Sequence, residues 1–310
     1  MPTVLVAGAA VQDFIYRFDV APARGTKGRA REFTSIGGGS GANAAVTVVR
    51  LGGRGQIVAP LGLDPMGDVI GRGLEDEGVD VSKLLRLPDH TSPVCAAVVD
   101  AQGERTILTY HASNQNDFTL DDPDALVADV DAVLTDDRHP CLAIPLLAAA
   151  RRRGIPGILD ADRAEGDAPR MIEIASHVVF GTPGLRGNSG RHDLTEGLRA
   201  MRATTDAFLA VTMGADGVRW LDGEAVRHLP GFRIEAVDTL GAGDTFHGAF
   251  ALAIAEGQAA ADALRFASAT AALKCSRFGG RLGIPTRDEV EALLAAPTAS
   301  DDRDPIRAVR

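Results

Sequence analysis

Asp238-Thr239-Leu240-Gly241-Ala242-Gly243-Asp244-Thr245-Phe246-His247-Gly248-Ala249-Phe250 sets a glycine turn directly before a strongly helical run. Gly241 and Gly243 let backbone N–H groups converge at a helix N-terminus, where unpaired donors and the helix dipole favour a phosphate or a developing negative charge. Asp244 stands in the first turn beside that site. A carboxylate there can take the proton of an alcohol attacking the γ-phosphorus of a nucleotide, while the amides stabilise the transferred phosphoryl group. The plainer alternative is that Asp244 caps a helix and the glycines turn the chain.

A second glycine run, Ser35-Ile36-Gly37-Gly38-Gly39-Ser40-Gly41-Ala42-Asn43-Ala44-Ala45, opens another helix. It offers a close backbone approach and the Asn43 amide to a polyhydroxylated ligand, or is a bare turn. Around these runs, short apolar segments alternate with helical patterns. Val4–Gly8, Gln56–Leu61, Ala132–Thr135, Gly157–Asp160, His177–Phe180 and Phe208–Thr212 read as buried strands. Helices are predicted over 41–51, 66–77, 141–153, 168–175, 193–204, 242–256, 259–276 and 286–295, several ended by Gly52, Gly78, Gly154 and Gly257. The alternation implies an α/β fold with a mostly parallel sheet. Residues 14–20 with 28–36, and 93–100 with 104–110 around Ala101-Gln102-Gly103, instead read as hairpins of a small sheet. We expect it to lie as a lid over the carboxyl edge of the large sheet.

Together the two glycine runs resemble the paired signatures of ribokinase-like carbohydrate kinases, the PfkB family, over nearly the whole chain. The resemblance implies a single ribokinase-like, Rossmann-type kinase domain over residues 1–297, its mostly parallel sheet flanked by helices, with a small β-sheet lid and a frayed tail from 298 to 310. It implies an ATP-dependent sugar kinase that uses Mg2+, with a monovalent-cation requirement left open. The family's sugar-binding Asp matches Asp13, its sugar-contacting glycines and Asn match Gly38, Gly39 and Asn43, and its anion hole and catalytic base match Gly241, Ala242, Gly243 and Asp244. Val211-Thr212-Met213-Gly214-Ala215-Asp216-Gly217 looks like the family's strand and turn at the nucleotide, which places Thr212, Gly214 and Gly217 there. The stretch from Ala272-Leu273-Lys274-Cys275 to Gly279-Gly280 looks like its adenine pocket, which adds Cys275 and Gly280. The family's Asn-x-x-Glu motif, which organises magnesium and phosphate, aligns with Gly181-Thr182-Pro183-Gly184, where both polar residues are missing. No metal ligand is therefore named. Lids in this family often pair between subunits, so a homodimer through the lid is expected.

Within the family the nearest resemblance is to sulfofructose kinases, and more loosely to ketohexokinase-like enzymes. Lys27 in Gly25-Thr26-Lys27 and Arg138 after Ala132–Asp137 match the Lys and Arg that meet a sulfonate in that subgroup. Both would give an anion charge-assisted hydrogen bonds. The expected reaction is phosphorylation of 6-deoxy-6-sulfofructose at O1. A neutral ketohexose, a sugar phosphate and a non-catalytic sugar sensor are the alternatives.

Other chemistries fit less well. A formal charge of −10 argues against a surface built for nucleic acid or anionic lipid. Cys95, Cys141 and Cys275 lack CxxC or zinc-site spacing. Gly37-x-Gly39-x-x-Ala42 fits a dinucleotide fingerprint, but the strand before it reads as lid and Gln56–Leu61 does not end in the acidic residue a ribose would need. None of the lysines, Lys27, Lys83 and Lys274, follows a GxxxxG pattern, and Ser40 has no GxSxG frame. The N-terminus shows no secretion signal and no stretch is long enough to span a membrane, so a soluble cytoplasmic protein is expected.

Overall fold

In the computed structural model, which describes residues 1–102, 104–296 and 307–309, Val4 and Val6 face one layer of helices and Leu5 and Ala7 the other. This period-two division of a strand buried on both sides is what a sheet with helices on each face requires. The chain runs β1 (Thr3–Ala7), β2 (Val11–Arg17), β3 (Glu32–Gly38), α1 (Ser40–Arg50), β4 (Arg54–Val58), β5 (Pro60–Gly62), α2 (Pro65–Asp76) and β6 (Leu85–Leu87). There follow β7 (Val94–Val99), β8 (Arg105–Tyr110), α3 (Pro123–Leu126), β9 (Ala132–Asp136), α4 (Pro140–Arg153), β10 (Gly157–Ala161), α5 (Ala168–Ile174) and β11 (His177–Gly181). The last part is α6 (Thr182–Ser189), α7 (Leu194–Met201), β12 (Phe208–Thr212), β13 (Val218–Asp222), β14 (Ala225–Leu229), α8 (Ala242–Ala255), α9 (Ala260–Cys275), α10 (Arg287–Ala295) and β15 (Arg307–Val309).

The large sheet has the order β15-β14-β13-β12-β11-β10-β9-β1-β4, parallel from β4 to β12 and antiparallel beyond. From β1 the chain first goes to β4 on one side and later to β9 on the other. The order therefore reverses beside β1, and a ligand crevice is expected at the carboxyl ends there. Helix α8 is buried on every side from Thr245 to Ile254. It packs between the sheet, α1 and α9, which explains a sequence that is apolar all round.

The small sheet, β3-β2-β7-β8, is the predicted lid. Pairing of Tyr16 with Phe33 and Val98, and of Phe14 with Ala96, puts Phe14, Tyr16, Phe33, Val98 and Leu108 on its outer face. Asp13, Ile15 and Cys95 point inward. Phe33 and Leu108 are exposed on that outer face, and the Phe33 ring lies 5.1 Å from Tyr16 and 6.1 Å from Phe14.

Several expectations need correction. Gln56–Leu61 is two strands, because the chain leaves the large sheet at Pro60, which cannot donate to a ladder, and pairs with β6 instead. The β13–β14 hairpin and the helices α3 and α6 were not predicted. Part of the tail expected to fray, Arg307–Val309, pairs with Val226–His228 at the open sheet edge. The rest of that tail, and Gly103 of the predicted hairpin turn, lie outside the described residues. Gly52, Gly78, Gly154 and Gly257 have φ of 86°, 80°, 73° and 80°, as helix-ending glycines require. Cys95, Cys141 and Cys275 are free thiols, and no described helix is long and apolar enough to cross a membrane.

Candidate active site

Asp244 lies in the first turn of α8, whose N-cap Gly241 holds φ 75°. A side chain there would be strained, so glycine lets the chain enter the helix with its first amides bared. Ala242 N–H is turned back onto Thr239 O at 3.2 Å. Gly243 and Asp244 supply the amides for which the helix has no acceptor. Asn43 Nδ2 donates to Asp244 Oδ2 at 2.8 Å, which joins the two glycine-rich runs of the sequence. Burial pushes the Asp244 carboxyl above its ordinary range, against the pull of Asn43, His247 and Arg138. A proton acceptor of raised affinity beside two free amides is suited to a hydroxyl that must lose its proton during phosphoryl transfer.

Lid strands β2 and β3 carry the rest of the sugar-side cluster. A Cβ on Gly38 would collide with Asp13 Oδ2, so only glycine admits the Asp13 carboxylate at this point. Gly39, with φ 95°, is the N-cap of α1. Arg281, missed by the sequence reading, reaches into the same place. Its Nε donates to Asn43 Oδ1 at 3.1 Å and its Nη2 to Gly38 O at 3.1 Å, with 5% of the residue exposed. Desolvation lowers its affinity for a proton to about 10 despite Glu77 and Asp13. It links the lid, α1 and the C-terminal segment, and only a long-range contact of 238 residues reveals it.

Burial raises the Asp13 carboxyl to about 6, opposed by Arg281. The sign follows directly: a carboxyl raised from 3.8 to about 6 favours the folded protein while protonated, and that contribution is lost as pH rises through about 6. An ionised Asp13 is the better acceptor for sugar hydroxyls. Apparent sugar affinity is therefore expected to weaken as pH falls through about 6, and the Asp13→Asn variant should bind weakly without that pH dependence, as calorimetric titrations would check.

At the carboxyl end of β9, Asp136 Oδ2 accepts from Ala9 N at 2.8 Å and Ser40 Oγ at 2.5 Å, and so pins the crevice where the strand order reverses. Its place at a strand end was its only signal in the sequence. Arg138 is exposed at the rim, and its charge acts on Asp244, His111 and His139. Lys27 is not brought there. It sits exposed in the loop between β2 and β3, with no hydrogen bond or ion pair among the described residues.

Beside the anion-hole loop opens a largely apolar cavity of about 470 Å³. Thr212, Gly214, Gly217, Ala242, Gly243 and Cys275 line it with Phe232, Phe246 and Ala272, so a flat apolar ring could be held with its phosphates directed at Gly243. Phe232 and Phe246 were not foreseen. Gly280 does not line it, against expectation. Its amide, like that of Gly279, donates to Asp238 Oδ2 at 3.1 Å. Burial opposes ionisation of Asp238, but the amides of Leu240, Gly280 and Gly279 hold its carboxyl below the usual range. Lys274, fully buried, donates to Asp238 O at 2.8 Å and braces the same loop from behind. A second cleft of about 500 Å³, at the amino ends of the strands, has Arg151 and Arg202 balanced by Glu173 and Asp206, far from these groups.

The β11–α6 junction is where the family's magnesium motif would stand. Thr182 Oγ1 there donates to Thr212 O at 3.0 Å, and no carboxylate or amide side chain stands at Gly181–Gly184. Among the described residues no group of three or more His, Cys, Asp or Glu could hold a metal ion. A protein-held metal does not fit these described residues.

Residues 1–287 match the pfkB family carbohydrate kinases. Ribokinase of Bacillus subtilis is 33% identical over 301 residues, 95% of this chain and 100% of its own. The crystal structure of a candidate ribokinase from Agrobacterium tumefaciens superimposes with a TM-score of 0.89 at 37% identity, over 94% of this chain and 97% of that one. Ribokinase of Arabidopsis thaliana, solved with ribose and ATP, gives a TM-score of 0.86 at 24% identity, over 96% of this chain and 99% of its own.

Proposed function

As the chain belongs to the pfkB family of carbohydrate kinases and is an ATP-dependent sugar kinase, we propose that it phosphorylates ribose, with Asp244 as the base that deprotonates the attacking hydroxyl. The observation that carries this reading is the 2.8 Å bond from Asn43 to Asp244, which sets a carboxylate, two first-turn amides and a hydrogen-bonding cleft together beside a nucleotide-sized cavity. The sugar sits between Asp13, Gly38, Gly39 and Asn43, its hydroxyl directed at Asp244. The proton passes to Asp244 as the oxygen bonds to the γ-phosphorus and the bond from that phosphorus to the β–γ bridging oxygen breaks, ADP leaving with the electron pair, while the amides of Gly243 and Asp244 meet the charge on the phosphoryl oxygens. Magnesium bound by the nucleotide's own phosphates would supply charge neutralisation at the transferred group. Behind the anion-hole loop the Lys274 ammonium is an internal cation, so exchange of K+ for Na+ should leave turnover unchanged.

A sulfonated or phosphorylated sugar is the second reading, favoured by the charge of Arg138 at the rim and weakened by the position of Lys27. ATP-dependent ADP release would be measured against ribose, ribose phosphate, fructose, fructose phosphates and 6-deoxy-6-sulfofructose. Ribose is expected to give the highest kcat/KM. A sulfonated winner whose advantage disappears in Arg138→Ala would overturn ribose, and silence with every sugar would leave a sensor.

The outer face of the lid supports a homodimer through this sheet, since Phe33, Leu108 and Tyr110 are each at least half exposed. Light scattering should give twice the chain mass for the native protein and a monomer for Phe33→Lys. A native monomer at micromolar concentration would end the lid-pairing reading.

A further inference from the structure

One turn beyond Asp244 in α8, His247 points inward beneath the anion-hole loop. Its Nε2 stands 3.0 Å from Oδ1 of Asp160, at the carboxyl end of β10, and the two side chains keep only 4% and 11% of their surface exposed. His247, Asp160, Asp136 and Asp244 line one small cavity with Ser40 and Thr135. Three carboxylates therefore meet a single imidazole. Asp136 is held by Ala9 N and Ser40 Oγ, and Asp244 by Asn43, which leaves Asp160 to His247.

Such a carboxylate would be costly on its own, and its negative charge would oppose ionisation of any acid beside it. We propose that His247 and Asp160 form a buried ion pair that cancels this charge beneath Asp244 and thereby keeps the base ionised, which makes His247 a positioning residue. The proposal rests on the role given above to Asp244. The two atoms lie within ion-pair distance without hydrogen-bond alignment, and His247 Nδ1 is buried with no hydrogen-bond partner among the described residues, so the charge on the ring rests on its carboxylate neighbours. Although burial opposes its charge, His247 is lifted above the ordinary range by Asp160, and its charge in turn draws Asp244 downward. The other charged groups coupled to the pair and to the base are Asp136 from β9, Asp137 and Arg138 just beyond it, Asp162 beyond β10, Asp13 from β2 and Arg281. In the reaction the sugar proton goes to Asp244, and His247 keeps its own.

The test compares pH profiles of kcat/KM for the native enzyme, His247→Asn, and the double variant His247→Asn with Asp160→Asn. In the single variant Asp160 is left uncompensated, so the acid limb should move up by roughly one pH unit. The double variant has no charge on either residue and should bring the limb back toward the native position, a rescue that a merely structural role would not give. An acid limb unmoved in the single variant, or moved equally in the double, overturns the proposal. Nitrogen-15 spectra of histidine-labelled native protein decide the ion pair even if the single variant fails to fold. The His247 ring is expected to stay doubly protonated at a pH where an ordinary histidine is neutral, and a ring that loses its proton no later than an ordinary histidine overturns it. Absence of turnover with every sugar would sink the kinase role of Asp244 while leaving the ring titration to stand on its own.

Discussion

Asp244→Asn is expected to lower kcat by about two to four orders of magnitude while sugar and nucleotide affinities stay near the native values. The amide oxygen of the replacement can still accept from Asn43 Nδ2, which lies 2.8 Å from Asp244 Oδ2 in the native protein, so the packing at the head of α8 survives. What is lost is the capacity to take a proton. The backbone amides at positions 243 and 244 remain, and they account for the residual rate. Rapid-quench turnover together with calorimetric binding separates the two effects. Undiminished turnover would remove Asp244 as the base, whereas loss of binding together with turnover would make it an anchor for the sugar.

The second large effect is expected one turn along α8 from the base, at a contact between helices. In Gly248→Ala the new methyl would sit 2.5 Å from Ala44 O, 2.9 Å from Thr47 Cβ and 3.0 Å from Ala44 Cα, at the contact between α8 and α1. Two of these atoms are backbone and cannot rotate away, so the helices must separate. Overpacking of this kind costs about 1–3 kcal/mol. A chain of this size should lose about 1.5–5 °C in melting temperature. Asn43 is the neighbour of Ala44 on α1, and Asp244 precedes Gly248 by one turn of α8, so the same separation stretches the bond between them. A displacement of about 1 Å at a reacting group can cost a hundredfold in rate. Thermal unfolding and kcat are therefore expected to fall together. If both are unchanged, the helix contact yields freely and does not hold the two halves of the site in register.

Much of this arrangement could be read from residues that act locally. The unbroken apolar run Val4–Ala7 already contains the two-sided sheet, and Gly241 before a helical run already contains the bared amides. Features made by distant pairs stayed hidden. Arg281 is an unremarkable arginine until the fold brings it to Gly38 and Asn43, and His247 looks like any core histidine until Asp160 lies beside it. Lys27 and Gly280 were given their roles by a motif; in the structure the loop between β2 and β3 leaves Lys27 exposed, and the amide of Gly280 donates to Asp238. Among strands, Pro60 shows how one missing N–H outweighs an apolar run that reads as continuous.

The bond from Asn43 to Asp244 spans 201 residues of chain. During synthesis from the N-terminus, at about 5–20 residues per second, helix α1 would wait on the order of 10–40 s for the helix that covers it. Over that interval the β1–α1 unit has its own strand pairing but an open apolar flank, and catalytic competence arrives only with the final part of the polypeptide. A nascent chain stalled before residue 242 should therefore carry the sugar-side residues without any capacity to phosphorylate, and its uncovered α1 would be a natural point of attachment for a chaperone.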